Sequence, residues 1–219
     1  MKIYVVGSSK NKFLPLDNIR QKFLVDVKHE GDNIDSLNPW YCELTGLYYL
    51  WKHVDDDIVG LEHYRRYFVN DKGKLLSENE IKDLLKVYDV IAYRYTGDNG
   101  INAMCKSGKG RSLALALALI NVTCDPEMAA FFREKLSGRY TFENNMFICR
   151  KEIINEYCNW VFPLLKLFDK HDKQRIPRID GYITEYFFGP YLEWRRYKVK
   201  VNKRKVFDKD LKHELKGHV

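Results

Sequence analysis

The chain has 219 residues, 45% hydrophobic and 31% charged, which suits one globular domain with at most a small appendage. No apolar run reaches the ~20 residues that a bilayer span needs, and the best, residues 113–122 (LALALALINV), is too short. A net charge of +7 and a pI near 9.0 favour anionic partners, whether nucleic acid, an acidic lipid surface or phosphorylated small molecules. The first residues lead straight into an apolar segment, so no signal peptide is expected. The five cysteines are scattered and no C-x-x-C pair occurs, so neither a zinc knuckle nor a disulfide framework is indicated, and a reducing cytoplasm is the expected location.

In chain order, residues 2–6 (KIYVV) read as a buried first strand. The polar loop after it, with Gly7, Ser8 and Lys10, could hold a nucleotide through backbone N–H groups and the lysine. No G-x-G-x-x-G follows, and an ordinary turn explains the loop as well. Residues 13–35 read as irregular. Asn38-Pro39 opens a helix, Asn as N-cap and Pro at the first helical position, running to about His53. Leu44, Leu47, Tyr48 and Trp51 form its core stripe with Tyr41, and Glu43 points away from them. Asp55-Asp56-Asp57 has the look of a metal-binding D-x-D, but it precedes a strand and so lies at the end opposite a ligand edge; a solvated turn is expected.

Residues 57–68 (DIVGLEHYRRYF) begin as a buried strand and change abruptly into His63, Tyr64, Arg65, Arg66 and Tyr67. In open α/β sheets ligands bind beyond the carboxyl ends of strands, and arginine is the side chain best matched to phosphate. One imidazole and two guanidiniums there offer an anion site. Surface ion pairs and a satisfied core histidine are the alternative.

Further on, residues 77–80 form a capping box, with Ile81, Leu84 and Leu85 buried behind it. Residues 87–93 (VYDVIAY) read as a strand, and residues 94–111 as a basic, glycine-rich mobile loop without Walker spacing. A Leu/Ala helix follows, then one capped by Asp125-Pro126 and running to about Leu136. A short strand (NMFIC) leads to an amphipathic helix over residues 152–169, which Pro163 should bend or interrupt. Asp180 opens a last helix with Arg178, Tyr182 and Glu185 near one face. Residues 198–201 are a candidate edge strand in a very basic C-terminal segment. Alternating strands and helices give an α/β class with a mostly parallel or mixed central sheet.

Several of these words resemble one family. Residues 38–45 (NPWYCELT), 59–68 (VGLEHYRRYF), 145–148 (NMFI), 157–161 (YCNWV) and 178–185 (RIDGYITE) are similar to motifs of bacterial capsular and O-antigen glycosyltransferases long described as a domain of unknown function. The chain departs from that pattern at Glu62, where a small residue is usual, and over residues 94–140. The resemblance implies a GT-A-like single domain, taken as residues 1–205 with a basic tail at 206–219. It implies transfer of a sugar from a nucleotide-sugar donor to a saccharide or lipid-linked acceptor, with no metal and no cofactor. Characterised members use UDP-galactofuranose. His63, Arg65 and Arg66, with Gly7, Ser8 and Lys10, would then hold the diphosphate. Glu185, or else Asp180, would be the general base. Glu43, Tyr41, Asn145, Tyr182 and Arg178 would lie on the sugar or acceptor side.

Two other functions stay open. A nucleic-acid or nucleotide binding protein without transferase activity would use the same charge and the 15 tyrosines, although no nucleic-acid module is recognisable. A catalytically inactive relative would bind without turnover. The basic residues 195–205, beside Trp194 and Tyr197, are also a candidate for peripheral contact with an acidic membrane.

Overall fold

A computed structural model describes residues 1–138, 140–207 and 216–217. The architecture is the expected single α/β domain, a mixed sheet flanked by helices. Strands β1 (Lys2–Gly7), β2 (Arg20–Leu24) and β3 (Ile58–His63) are parallel, with β1 in the middle. On its other edge β3 meets β8 (Phe147–Arg150) running antiparallel, then β5 (Val90–Ala92) and the parallel edge strand β9 (Val199–Val201). The strand order is therefore β2-β1-β3-β8-β5-β9, and β8 alone among these six runs against the rest.

Alternation along β3 decides what each face does. Val59 and Leu61 belong to the larger core, under α2 (Leu44–His53), α5 (Gly110–Thr123), α6 (Pro126–Leu136), α7 (Lys151–His171) and α8 (Ile179–Trp194). Ile58 packs on the opposite face with Ile3, Ile91 and Ile148 under α3 (Glu78–Leu84). Gly60 is required by this close layering, since a Cβ there would lie 2.9 Å from the Phe147 carbonyl oxygen and from Ile148 Cγ1.

Several expectations are corrected by tertiary contacts. Residues 13–35 contain β2, which reads as loop in the sequence because Gln21 and Lys22 sit exposed on an edge strand. The helix starting at Asn38 is broken. A single turn, α1 (Asn38–Tyr41), ends at Cys42 with φ +51°, Leu37 rather than Asn38 is the N-cap, and α2 starts afresh at Leu44. The basic loop 94–111 contains α4 (Gly100–Lys106), capped by Asn99, whose side chain accepts from Asn102 N at 2.7 Å. Short strands β6 (Tyr95–Thr96) and β7 (Tyr140–Thr141) pair beside it. Pro163 does not interrupt α7. The helix buries Ile154, Tyr157, Val161, Leu165 and Phe168 on both sides of it, and that packing outweighs the lost backbone bond, a matter of ~3 kcal/mol.

The strand of residues 57–68 is a hairpin. After His63 the chain reverses through Tyr64 and Arg65 into β4 (Arg66–Phe68), which pairs antiparallel with β10 (Arg204–Val206) and through it with β11 (Lys216–Gly217). A domain boundary at residue 205 would therefore cut a strand. Val206 is in the sheet, and Phe207 donates its N–H to Arg65 O and packs edge-on against Tyr67. The remainder of the expected tail, apart from 216–217, lies outside the described residues. Among the described residues, no helix is long and apolar enough to cross a membrane.

Candidate active site

The carboxyl ends of the parallel strands β1 and β3 open into a cleft of about 420 Å³, where an α/β sheet places ligands. Gly7, Ser8, Asn11, Cys42, Glu43, His63, Arg65, Arg66 and Arg178 line it. Gly7 leaves no room for a side chain, since a Cβ would stand 2.8 Å from the Phe13 ring and 2.9 Å from Tyr64 Cβ. The loop after β1 is locked by Asn11, whose Oδ1 accepts from Ser8 N at 2.6 Å and from Ser8 Oγ at 3.0 Å. Lys10 is exposed and outside the lining.

His63 is not a cation. It is buried, and its Nε2 lies 2.6 Å from the carbonyl oxygen of Asn144, an atom that can only accept, so Nε2 carries the proton. Burial, then the charges of Arg66, Arg204 and Arg178, push its pKa down to about 3 against the pull of that hydrogen bond. The imidazole fixes the cleft wall and adds no positive charge at neutral pH.

The guanidiniums are different. Arg65 and Arg66 each bury an Nε that has no hydrogen-bond partner among the described residues. Arg66 is flanked by like charge. Burial, Arg65 and Arg204 all lower its pKa, opposed by Glu185. Arg178 closes the cleft from the start of α8, held in the left-handed region at φ +65° by its N–H bond to Pro39 O at 2.9 Å. These arginines make the cleft strongly electropositive.

Glu43 sits on the cleft floor. It follows the break at Cys42, off the core stripe of α2. Asn145 Nδ2 donates to Glu43 Oε1 at 2.7 Å and reaches Gly181 O at 3.2 Å, tying α2 to α8. Burial raises the Glu43 pKa, while Asn145, Arg178 and Arg66 oppose the rise. Asn144 and Asn145 sit consecutively at φ +68° and +49°, a conformation asparagine tolerates better than most residues. That pair aims one carbonyl at His63 and one amide at Glu43. Glu185 is half-buried on α8, within electrostatic reach of both Arg66 and Cys42. Tyr182 lies on the same stripe of α8, its ring 5.3 Å from the Arg178 guanidinium.

Of the expected site residues, Lys10, Tyr41, Asn145, Asp180, Tyr182 and Glu185 are not among those lining the cleft. Tyr41 is buried and donates its hydroxyl to Asp169 Oδ2 at 3.0 Å. Asp180 is fully buried, its two carboxyl oxygens have no hydrogen-bond partner, and burial followed by the neighbouring Asp169 pushes its pKa up to about 8. Neither belongs to the cleft lining. Asp55, Asp56 and Asp57 precede β3, at the end of the strand away from the cleft, as expected. Among the described residues no group of His, Cys, Asp and Glu is arranged to hold a metal ion.

Sequence reasoning missed Asn11, Asn144 and Arg204. Asn11 carries a usable signal, an asparagine three residues after a serine in a turn, and so does the Asn-Asn pair ahead of β8. Arg204 carries none. It reaches the site only through the β4–β10 pairing, where it bonds Asn144 Oδ1 and stacks 3.8 Å from the Tyr93 ring centre.

Over residues 2–196 the chain matches the family model described as a domain of unknown function, DUF4422. No curated protein matches it. The fold is similar to that of the WbbM bifunctional glycosyltransferase in its apo structure, with a TM-score of 0.77 and 23% sequence identity, over 93% of this chain and 44% of that one. The likeness is one of fold, and the chain spans less than half the length of that protein.

Proposed function

The chain belongs to the family described as a domain of unknown function, DUF4422, and on that premise we propose that it is a glycosyltransferase of surface polysaccharide synthesis, moving a sugar from a UDP-sugar to a saccharide or lipid-linked acceptor. UDP-galactofuranose is the donor that the sequence resemblance suggests. The observation that carries this reading is the pair of buried guanidinium Nε atoms of Arg65 and Arg66, left without partners at the carboxyl ends of β1 and β3.

Departure of a nucleoside diphosphate builds negative charge that fixed positive groups must stabilise. Arg65, Arg66 and Arg178 are such groups, and guanidinium geometry suits phosphate oxygens. The reading therefore needs no divalent cation. Neutral His63 keeps the turn in place. Glu43, whose raised pKa favours its protonated form more than in water, is suited to meet a sugar hydroxyl. Glu185, across from Arg66, takes the proton from the acceptor hydroxyl in an inverting transfer.

A calorimetric titration with UDP tests the binding half. UDP binding with heat and a raised melting temperature is expected, and single-stranded oligonucleotide should give neither. Turnover of UDP-galactofuranose or another UDP-sugar, undiminished in excess EDTA, tests the rest. Loss of activity in EDTA restored by manganese would overturn the metal-free reading.

A further inference from the structure

Tyr182 has a second cation beside it. Lys109, at the turn between α4 and α5, places its Nζ 4.4 Å from the Tyr182 ring centre, and Arg178 stands 5.3 Å from the same ring. The two come from different elements and repel one another. Neither forms an ion pair with a carboxylate among the described residues, whereas neighbouring Lys106 is paired with Asp98 at 2.5 Å. Among the described residues, the hydrogen bond of Lys109 Nζ is a long one of 3.3 Å to Ser107 O. The turn that carries it uses Gly108 at φ +75°, and α5 starts there with no acid in its first turn and no side-chain cap.

Position says what this cluster faces. Tyr182 and Glu185 are three residues apart and share one stripe of α8, and Arg178, just before the helix, holds its guanidinium 5.3 Å from the Tyr182 ring. Arg178 borders the diphosphate cleft, and Glu185 is the acid assigned to the acceptor hydroxyl. An aromatic ring between them, with a lysine on it from the outer side, suits a sugar ring that carries negative charge.

We infer that Lys109, Tyr182 and Arg178 form the acceptor subsite, and that its ligand is a saccharide bearing an anionic group, a phosphate or a carboxylate. The inference rests on the donor reading above. The test starts from protein saturated with UDP, which occupies the diphosphate cleft. Into it are titrated the 1-phosphates, the uronic acids and the methyl glycosides of glucose and galactose. The charged sugars are expected to bind at least ~10-fold tighter than the neutral ones, the scale of one charge-assisted contact. Lys109→Ala and Tyr182→Ala should abolish most of that preference, Lys109→Arg should keep it, and UDP affinity should be unchanged in all three. Preference for the 1-phosphates points to a glycosyl phosphate, and preference for the uronic acids to an acidic polysaccharide. Equal binding of charged and neutral sugars, a preference that survives both alanine variants, or binding only when UDP is absent overturns the inference. Failure of UDP to bind at the outset is read before any sugar is added and condemns the donor reading instead.

Discussion

Glu62 and Arg66 are four residues apart on one hairpin, and their surroundings are opposites. Glu62 is fully buried and fully answered. Its carboxylate takes Arg20 Nε at 2.7 Å and Phe68 N at 2.9 Å, and Arg20 is completed by Asp17 and the Leu76 carbonyl. Arg66 also buries part of its guanidinium, but its neighbours include other arginines and its Nε has no partner. A protein that satisfies one buried charge so thoroughly has the means to satisfy the other. That contrast is what the proposed anion site rests on, since an anion is the partner that suits a guanidinium. The buried pair of Glu62 with Arg20 braces the turn that carries Arg65 and Arg66.

The largest expected effect tests the answered side. Glu62→Gln removes the buried carboxylate from Arg20 and leaves it only the partly exposed Asp17 as counter-charge, so unfolding in urea should show a loss of up to ~3–5 kcal/mol. The double variant Arg20→Met with Glu62→Leu should recover much of it. Under the same urea titration Arg66→Ala should cost almost nothing or stabilise, because it relieves like-charge repulsion. A large loss for Arg66→Ala would erase the contrast.

Next comes Glu185, the acid facing Arg66. If it takes the acceptor proton, Glu185→Gln should slow sugar transfer at least ~100-fold with UDP affinity and melting temperature nearly unchanged. Transfer within a few-fold of wild type, together with a lowered melting temperature, would make it a structural partner of Arg66.

Arg66→Ala and Arg65→Ala should each weaken UDP binding by about 1.5–3 kcal/mol, roughly 10- to 150-fold, as expected for charge-assisted bonds to phosphate. Unchanged affinity in both folded variants would remove the diphosphate from this cleft.

The smallest effect concerns a third way to bury a charge, which is to neutralise it. The Asp180 carboxyl has no hydrogen-bond partner among the described residues and lies outside the cleft lining, and its pKa rises to about 8. Between about pH 4, where the unfolded aspartate titrates, and pH 8, the native state holds this proton and the unfolded state does not. The contribution of Asp180 to stability is full below that window and falls as pH rises through it. Asp180→Asn should flatten the decline and raise the melting temperature at pH 8–9 by a few degrees. A wild-type profile level from pH 5 to 8 contradicts this placement of Asp180.

Much of the fold follows from local chemistry. The capping box at Ser77 and Glu80 appears as expected, Glu80 Oε2 accepting from Ser77 N at 2.8 Å. Asp125-Pro126 starts α6 where its sequence says it should. These features depend on neighbours within a turn. The break at Cys42 was not legible, because the periodicity of residues 38–53 is helical throughout and only the packing of Glu43 against Asn145 and Gly181 requires a left-handed residue there.

For the site, the sequence by itself determined the kind of chemistry. Arginines at the end of a buried strand point to an anion, and the Asp triplet before that strand lies at its far end. Only the tertiary structure decided which residues take part. It buried His63 among guanidiniums, which lowers its pKa, set Arg204 against Asn144 through the β4–β10 pairing, and buried Tyr41 and Asp180. The reason is range. A helix cap or strand end is set by residues a few positions apart, whereas the charge and exposure of a side chain are set by whatever the fold brings against it, in this chain 81 residues away between His63 and Asn144 and 128 between Tyr41 and Asp169.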